Sequence, residues 1–234
     1  MKKALKIVVL AKQVPDTRNV GKDAMTPEGT VNRAALPAIF NPEDLNALEM
    51  ALALKDETEG SIVHILTMGP PRAADIIRDA MFRGADGGYL LTDRKFAGAD
   101  TLATSYALSC ALRKIRPDVI VAGRQAIDGD TAQVGPQVAE KLGWPQVTYA
   151  EELVEIKADA LVIKRRLEHG TEVVECPLPL VMTVNGSAPE CRPQNARRVM
   201  KYKFAQTKSE IAAAPDCMAS TMAAAKEYLQ IIEF

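Results

Sequence analysis

The sequence has few of the residues on which several common functions depend. Aromatic residues make up 5% of the 234 residues, and histidine occurs only as His64 and His169. A surface that stacks nucleic-acid bases needs aromatic side chains, and a formal net charge of −1 gives no overall attraction to phosphate backbones. The composition therefore argues against nucleic-acid binding and against catalysis that depends on several histidines.

Cysteine pairs and the common cofactor motifs are also missing. None of the four cysteines forms a CxxC pair, so their spacing predicts no zinc site, and scattered thiols suit a reducing compartment. The chain has neither the glycine fingerprint of NAD-binding Rossmann domains nor a P-loop. It also lacks the HExxH and GxSxG motifs, so no metal site and no catalytic nucleophile are predicted.

Long apolar runs are absent as well. No stretch approaches the roughly 20 apolar residues that a membrane-spanning helix needs. The first apolar run is short and continues into Lys12 and a Pro-Asp turn, which predicts a strand rather than a signal peptide. We expect a cytoplasmic protein without membrane insertion.

Up to residue 145, apolar strands alternate with helix signals. Asn41-Pro42-Glu43-Asp44 is typical of a helix start, with a capping Asn, a Pro at the first position and two carboxylates at the positive end. The predicted strands cover residues 5–10, 62–68, 89–91 and 119–122. This alternation predicts an α/β fold, namely a three-layer, doubly wound, mostly parallel sheet.

Beyond residue 145 the pattern changes to short strands joined by turns. Runs at 147–156, 161–165, 173–176 and 178–184 predict a small antiparallel extension. Residues 216–230 predict an amphipathic helix capped by Asp216, with Leu229 on its apolar stripe. We therefore divide the chain into an α/β domain at 1–184, with the extension starting near 147, a basic segment within 185–208 and a C-terminal helical arm at 209–234.

Three unusual turns follow predicted parallel strands. They cover residues 12–17, 68–71 and 123–136, and all three should emerge at the same edge of the sheet. Because ligands of open α/β sheets bind beyond the carboxyl ends of the strands, this convergence predicts a nucleotide-sized ligand.

The longest of these turns, GRQAIDGDTAQVGP at 123–136, has the parts of an anion site. Gly123 lets the chain leave the strand, and Gly129 allows a left-handed conformation. Asp128 or Asp130 can cap the following helix, which leaves Thr131 and backbone N–H groups to face an anion. The alternative is a long capped turn with ordinary acidic residues.

A second signal is the basic segment ECRPQNARRVMKYKF at 190–204. Its five cations stand against one acid, Glu190, and they are Arg192, Arg197, Arg198, Lys201 and Lys203. The segment is either a solvated loop or a docking surface for an acidic partner. The shortage of aromatic residues favours a protein partner over nucleic acid.

Taken together, five motifs in order resemble the β subunit of electron transfer flavoprotein. They are KQVPDT at 12–17, NPEDLNALEMAL at 41–52, TMGPP at 67–71, GADTLATS at 98–105 and GRQAIDGDTAQVGP at 123–136. The resemblance runs from about residue 5 to residue 204. It implies a nucleotide-binding α/β fold, and it places the basic segment where the family has its partner-recognition loop.

The resemblance also implies cofactors and partners. In this family the β subunit pairs with an α subunit that carries FAD in a mobile domain and serves an acyl-CoA dehydrogenase-type flavoenzyme. In ordinary members the β subunit binds AMP structurally. In bifurcating members it binds a second FAD, which takes electrons from NADH and splits them between ferredoxin or flavodoxin and the α-subunit FAD. The wording of the motifs is more similar to the bifurcating group, with AMP as the alternative.

The residues that the resemblance assigns to the nucleotide site follow from the matching motifs. They are Leu10, Asn41, Pro42, Glu43, Asp44, Met68, Gly69, Pro70, Gly123, Arg124, Gln125, Ala126, Ile127, Asp128, Gly129, Asp130, Thr131, Ala132, Gln133 and Val134. Gly69, Pro70 and residues 98–105 belong to the flavin and NADH pocket in the bifurcating interpretation. The partner-binding residues are Ala196 and the five cations of the basic segment.

Two features depart from the family pattern. Ala196 stands where ordinary members have a leucine anchor, which leaves the identity of the dehydrogenase open. The tail beyond residue 205 is shorter than the family arm and does not match it.

Overall fold

The computed structural model describes residues 3–16, 36–207, 209–210 and 229–231. Its helices are α1 Pro42–Asp56, α2 Ala74–Arg83, α3 Thr101–Ile115, α4 Val134–Leu142 and α5 Ala196–Tyr202. Its strands are β1 Lys6–Leu10, β2 Gln13–Pro15, β3 Ala38–Phe40, β4 Ile62–Met68, β5 Gly87–Leu91, β6 Val119–Gly123, β7 Gln146–Ile156, β8 Ala160–Leu167, β9 Gly170–Pro177, β10 Leu180–Val184 and β11 Leu229–Ile231. In the part of the chain that the structure describes, no helix is long and apolar enough to cross a membrane.

The large sheet confirms the predicted doubly wound α/β fold. Its strand order is β11-β5-β4-β1-β6-β10-β7-β8-β9. Strand β1 pairs in parallel with β4 on one side and with β6 on the other. The strand order therefore reverses between β1 and β6, which is where open α/β sheets form a ligand crevice.

Side chains of β1 alternate between two helical layers. Ile7 and Val9 pack in the cluster that includes α1 and α2, whereas Val8 and Leu10 pack in the cluster with α3 and α4. Ile7, Val8 and Val9 have no exposed surface. Both faces of the strand are buried, which explains why its sequence is continuously apolar rather than alternating.

The antiparallel extension is confirmed for β7, β8 and β9, which pair antiparallel in sequence. The prediction was wrong for the apolar run 178–184. That run forms β10, which pairs in parallel with both β6 and β7. All five residues of β10 are buried, because the strand is covered on both faces in the interior of the sheet. The chain makes the β7–β9 excursion before it returns to the parallel part.

Three shorter segments also differ from the predictions. Residues 13–15 were expected in a turn, but β2 pairs antiparallel with β3 in a small separate sheet. The basic segment contains the short helix α5. The predicted helix at 216–230 lies outside the described residues as far as residue 228. At residues 229 and 230 the prediction was wrong, because Leu229–Ile231 forms a strand parallel to β5. This pairing covers the edge of β5, whose backbone groups would otherwise lack a strand partner on that side.

Candidate functional site

A cavity of about 670 Å³ opens at the carboxyl edge of the parallel strands. Its lining comes from the ends of β1, β4 and β6 and from the segments that follow β5 and β6. Most residues expected at the nucleotide site line it, namely Leu10, Asp44, Met68, Gly69, Pro70, Gly123, Arg124, Gln125, Ala126, Gly129, Asp130, Thr131, Ala132, Gln133 and Val134. The predicted convergence of the three turns is therefore present in the structure.

Five expected residues lie behind the lining. Asn41, Pro42, Glu43, Ile127 and Asp128 do not face the cavity. The contacts described below show that most of them hold the lining in place.

Other lining residues were not assigned to the nucleotide site from the sequence. They include Lys12, Gln13, Phe96, Leu108 and Gly135, whereas Thr101 and Thr104 belong to the 98–105 segment that was expected near the flavin. Lys12, Gln13 and Gly135 stand inside the motifs at 12–17 and 123–136, which could have located them.

Asp44 ties together the two strand ends at the crevice. It lies in the first turn of α1 and is 7% exposed. Its carboxylate accepts hydrogen bonds from the backbone N–H of Lys12 at 2.8 Å and of Gly123 at 3.1 Å. Burial raises the pKa of Asp44 to about 7, although the hydrogen bonds from Lys12, Asn41 and Gly123 act in the opposite direction. The carboxylate therefore fixes the spacing of β1 and β6 from within a desolvated site.

Asn41 was expected to cap α1, and that prediction was wrong. The residue is at the N-cap position, but its side chain makes no capping hydrogen bond. Its amide is fully buried and donates to the carbonyl of Gln125 at 2.9 Å, while its carbonyl oxygen accepts from the N–H of Ile127 at 3.1 Å. The loop at 123–133 takes this side chain because its own buried backbone groups need partners.

Arg124 was expected to meet an anion or a ring. In the structure its guanidinium pairs with Glu43 at 2.9 Å and lies 5.9 Å from the centre of the Tyr149 ring. Glu43 also accepts from the N–H of Gln125 at 2.9 Å. The hydrogen bond to Glu43 raises the pKa of Arg124. Arg124 therefore lines the cavity as a positioned cation.

The acids of the loop do not cap α4, which corrects the prediction for Asp128 and Asp130. The N-cap of α4 is Gln133, and among the described residues no side chain caps this helix. Asp128 pairs with Lys12 Nζ at 2.7 Å, and Asp130 accepts from the amide of Gln125 at 2.8 Å. Both acids brace the loop, so the positive end of α4 stays open toward the cavity.

Backbone geometry explains why glycine stands at two positions, and it shows that the prediction for a third glycine was wrong. A Cβ on Gly123 would lie 2.8 Å from backbone atoms of Glu43 and Asp44, so the close approach of α1 to β6 requires glycine. The left-handed conformation expected at Gly129 is instead adopted by Asp130, with φ of 48°, and Ala132, with φ of 52°. Gly135 packs against Thr183, which brings α4 close to β10.

The cavity therefore suits the phosphate of a nucleotide. The start of α4 lines it at Gln133, Val134 and Gly135 with its positive dipole, and Thr131 and Arg124 also line it. Apolar lining from Leu10, Leu66 and Leu108 offers a surface for a planar ring. No group of side chains that could hold a metal ion is found among the described residues.

The basic segment is partly an internal structure. Arg192 contacts Glu49 through several hydrogen bonds, the shortest at 2.9 Å, and also pairs with Asp56 at 2.9 Å. Arg198 donates to the carbonyls of Met81 and Ala85. These two cations hold the segment to α1 and α2, so the structure gives them an intramolecular role beside the predicted partner contact.

The outer side of α5 carries the other expected partner residues. Ala196, Arg197, Lys201 and Lys203 are exposed. Two large apolar side chains accompany them, because Met200 is 66% exposed and Phe204 is 58% exposed. Neither was expected at a partner site from the charge pattern, although both stand in the same segment of the sequence.

Comparisons with known proteins agree with this architecture. A family model described as "Electron transfer flavoprotein domain" matches residues 28–209. The caffeyl-CoA reductase-Etf complex subunit CarD of Acetobacterium woodii is 49% identical over 180 residues, which cover 76% of this chain and 68% of the relative.

The matches to two further relatives cover the same share of this chain. The electron transfer flavoprotein subunit beta of Clostridium acetobutylicum is 52% identical over 179 residues, covering 76% of this chain and 68% of its own. The acryloyl-CoA reductase electron transfer subunit gamma of Anaerotignum propionicum is 50% identical over 182 residues, covering 76% and 67%. The family match, together with the identity and coverage of these relatives, shows that the chain belongs to the electron transfer flavoprotein family.

Proposed function

We propose that this chain is the β subunit of a heterodimeric, bifurcating electron transfer flavoprotein that binds FAD in the 670 Å³ cavity. When bound, this FAD would supply the two-electron oxidation of NADH and one-electron transfer to ferredoxin or flavodoxin and to the FAD of the α subunit. The observation that carries the proposal is the extent of the cavity. Its walls come from segments that follow four adjacent strands, β5, β4, β1 and β6.

The size of the cavity favours a dinucleotide. Four neighbouring strand ends span about 14 Å at the usual strand spacing of about 4.8 Å. A mononucleotide needs only the crevice between β1 and β6, whereas a dinucleotide lies across the strand ends on both sides of it.

The residues present fit FAD. The 123–133 loop and the open end of α4 would hold the pyrophosphate, beside the ion pairs of Arg124 with Glu43 and of Lys12 with Asp128. Met68 and the residues around Gly69 and Ala99 would lie beside the ring system. When bound, the flavin supplies the one- and two-electron chemistry, and the protein contributes binding, orientation and electrostatics.

The relatives support the choice of a partner enzyme. Two are named as electron transfer components of caffeyl-CoA reductase and acryloyl-CoA reductase. We propose by analogy an acyl-CoA dehydrogenase-type flavoenzyme as the partner, docking through the outer side of α5.

A specific observation favours the alternative, in which the β site holds only AMP. The 123–133 loop by itself brings Arg124, Gln125 and Thr131 to the cavity, and a single phosphate would need no further donors. In that case the α-subunit FAD alone carries single electrons between dehydrogenase and acceptor.

The cofactor content of the purified αβ complex decides between these functions. Two FAD per complex, with flavin reduction by NADH, is the expected result. One FAD and one AMP per complex would refute the bifurcating function and support the alternative.

A pair of cavity-filling variants makes the test specific to this chain. Ala126→Trp, in the 123–133 loop, should expel either nucleotide. Ala99→Trp, in the segment before α3, should lower FAD retention at least tenfold and leave AMP binding unchanged. Full flavin content in Ala99→Trp would show that the ring system lies elsewhere.

A further inference from the structure

The first three turns of helix α3 have an outer face without charges. Residues 101–112, TLATSYALSCAL, contain no Asp, Glu, Lys or Arg. A surface helix normally places charged residues on the side opposite the core. The inner side of α3 is an ordinary core face, since Leu108 and Leu112 are buried. The unusual part is therefore the side that faces solvent.

Two large apolar side chains dominate this outer face. Leu102 is 58% exposed and Tyr106 is 62% exposed. They stand four residues apart, so they are neighbours on the helix surface, and the exposed Ala103 lies beside them. A contiguous apolar area that stays exposed is typical of an interaction site.

The surroundings of this face are basic. Lys141 Nζ lies 5.8 Å from the centre of the Tyr106 ring, and Arg113, two turns further along α3, donates to the carbonyl of Lys141. The basic residues of α3, the end of α4 and the segment before α3 are Arg94, Lys95, Arg113, Lys114 and Lys141.

The acids in the same elements are fewer. They are Asp93, Asp100 and Glu140. Asp93 accepts from the N–H of Lys95, and Asp100 accepts from the N–H of Ala103 at the start of α3. Lys141 beside Tyr106, and Arg113 on the same side of α3, therefore form a basic rim at one end of the apolar centre, which complements an acidic protein surface.

The same helix forms a wall of the cavity. Thr101, Thr104 and Leu108 line it. A helix with its side chains is about 10–12 Å across, so a protein on the outer face would be separated from a ligand in the cavity by a single helix.

We propose that the outer face of α3, centred on Leu102 and Tyr106, docks an acidic electron-accepting protein. Its role in electron transfer rests on the proposed function, whereas docking itself does not. The basic rim draws the acidic partner to the apolar centre, and α3 brings it beside the cavity. This surface is separate from the outer side of α5, which is left for the dehydrogenase.

The test measures binding of a purified acidic ferredoxin to the αβ complex at several salt concentrations. The double variant Leu102→Glu with Tyr106→Glu should weaken binding at least tenfold. The matched control is Val154→Glu with Val173→Glu, because these valines are 51% and 57% exposed on the antiparallel extension. The control should bind like the wild type. Lys141→Glu should also weaken binding, most strongly at low salt.

Several outcomes would overturn the proposal. They are equal binding by the double variant and the control, salt-independent binding, or no binding by the wild type. Loss of αβ assembly in the double variant would assign the face to the α subunit, and a change in the number of copies would assign it to a second copy of this chain. Since binding needs no turnover, one FAD and one AMP per complex would refute bifurcation while leaving this test intact.

Discussion

Helix α1 holds two functional segments, and it holds them in different ways. At its start, Glu43 and Asp44 accept hydrogen bonds from backbone N–H groups of the 123–133 loop and of the chain after β1. Further along, Glu49 accepts from the side chain and the N–H of Arg192 in the basic segment. One helix therefore organises both the cavity and the partner-recognition segment.

The two attachments differ in burial. Asp44 is 7% exposed, and a Cβ on Gly123 would collide with the α1 backbone. The side chain of Arg192 is 33% exposed and that of Glu49 is 17% exposed. A buried carboxylate bound to backbone leaves the cavity edge little freedom, whereas half-exposed ion pairs hold a segment whose outer side stays available to a partner.

The largest expected effect is a change in protein stability with pH that arises from Asp44, at the buried start of α1. The folded-state pKa of Asp44, about 7, lies above its ordinary value of 3.8, so the folded protein keeps this proton to higher pH. By linkage, the contribution of Asp44 to stability falls as pH rises from 3.8 to about 7 and is constant above that. The fall amounts to about 4 kcal/mol.

Urea unfolding of wild type and Asp44→Asn from pH 4 to pH 8 measures this effect. The difference between the two stability curves should change across that range, because the variant cannot titrate at this position. Parallel curves would show that burial does not perturb this carboxyl.

A matched pair of glycine substitutions tests the close approach of α1 to β6. Gly123→Ala should lower the free energy of unfolding by about 3 kcal/mol, because its Cβ would meet backbone atoms. Gly129→Ala, in the same loop, should change it by less than about 0.5 kcal/mol, since no atom lies within 4 Å. Urea unfolding measures both free energies. Equal losses of stability in the two variants would show that α1 does not approach β6 closely at Gly123.

At the other end of α1, Arg192→Ala should cost about 2 kcal/mol of stability, because it removes charge-assisted hydrogen bonds to Glu49 and Asp56. Burial tends to raise the pKa of Glu49, but the hydrogen bonds from Arg192 outweigh it and the pKa is lowered. The control Arg197→Ala, on the exposed side of α5, should cost less than about 0.5 kcal/mol. If thermal unfolding ranked the two variants in the reverse order, the contacts of Arg192 with Glu49 and Asp56 would not be what holds the basic segment to α1.

The smallest effect concerns the start of α5. Asn195 caps this helix by accepting from the N–H groups of Arg197 and Arg198. Asn195→Ala should cost about 1 kcal/mol, and Asn195→Asp should restore most of it, since both Asn and Asp cap well. Equal stabilities of the Ala and Asp variants would mean that the cap does not hold the segment.

Sequence patterns predicted the parallel half of the fold because strands buried on both faces are continuously apolar and helices begin with distinct signals. They failed at β10 because an apolar run of five residues has no direction, and only its neighbours β6 and β7 fix it as parallel. They failed at Leu229–Ile231 because pairing with β5, remote in sequence, overrides local helix propensity.

At the cavity, most residues that the family resemblance assigned are in the lining, but the sequence did not predict their partners. Asn41, Asp128 and Asp130 all have the local signature of a helix cap, and none of them caps. Asn41 binds backbone groups of the loop, because buried backbone groups brought together by folding need partners. Asp128 and Asp130 bind the side chains of Lys12 and Gln125 instead.

The sequence alone determined the α/β class, the three turns that meet at one sheet edge and the basic segment, since these depend on local periodicity and on residue type. Tertiary structure alone decided which charges are free to meet a ligand or a partner. Arg192 and Arg198 are bound within the chain, whereas the end of α4 is open and the outer face of α3 is apolar and exposed. Charge can be read from sequence, but its neutralisation depends on residues that are distant in the chain and adjacent only in the fold.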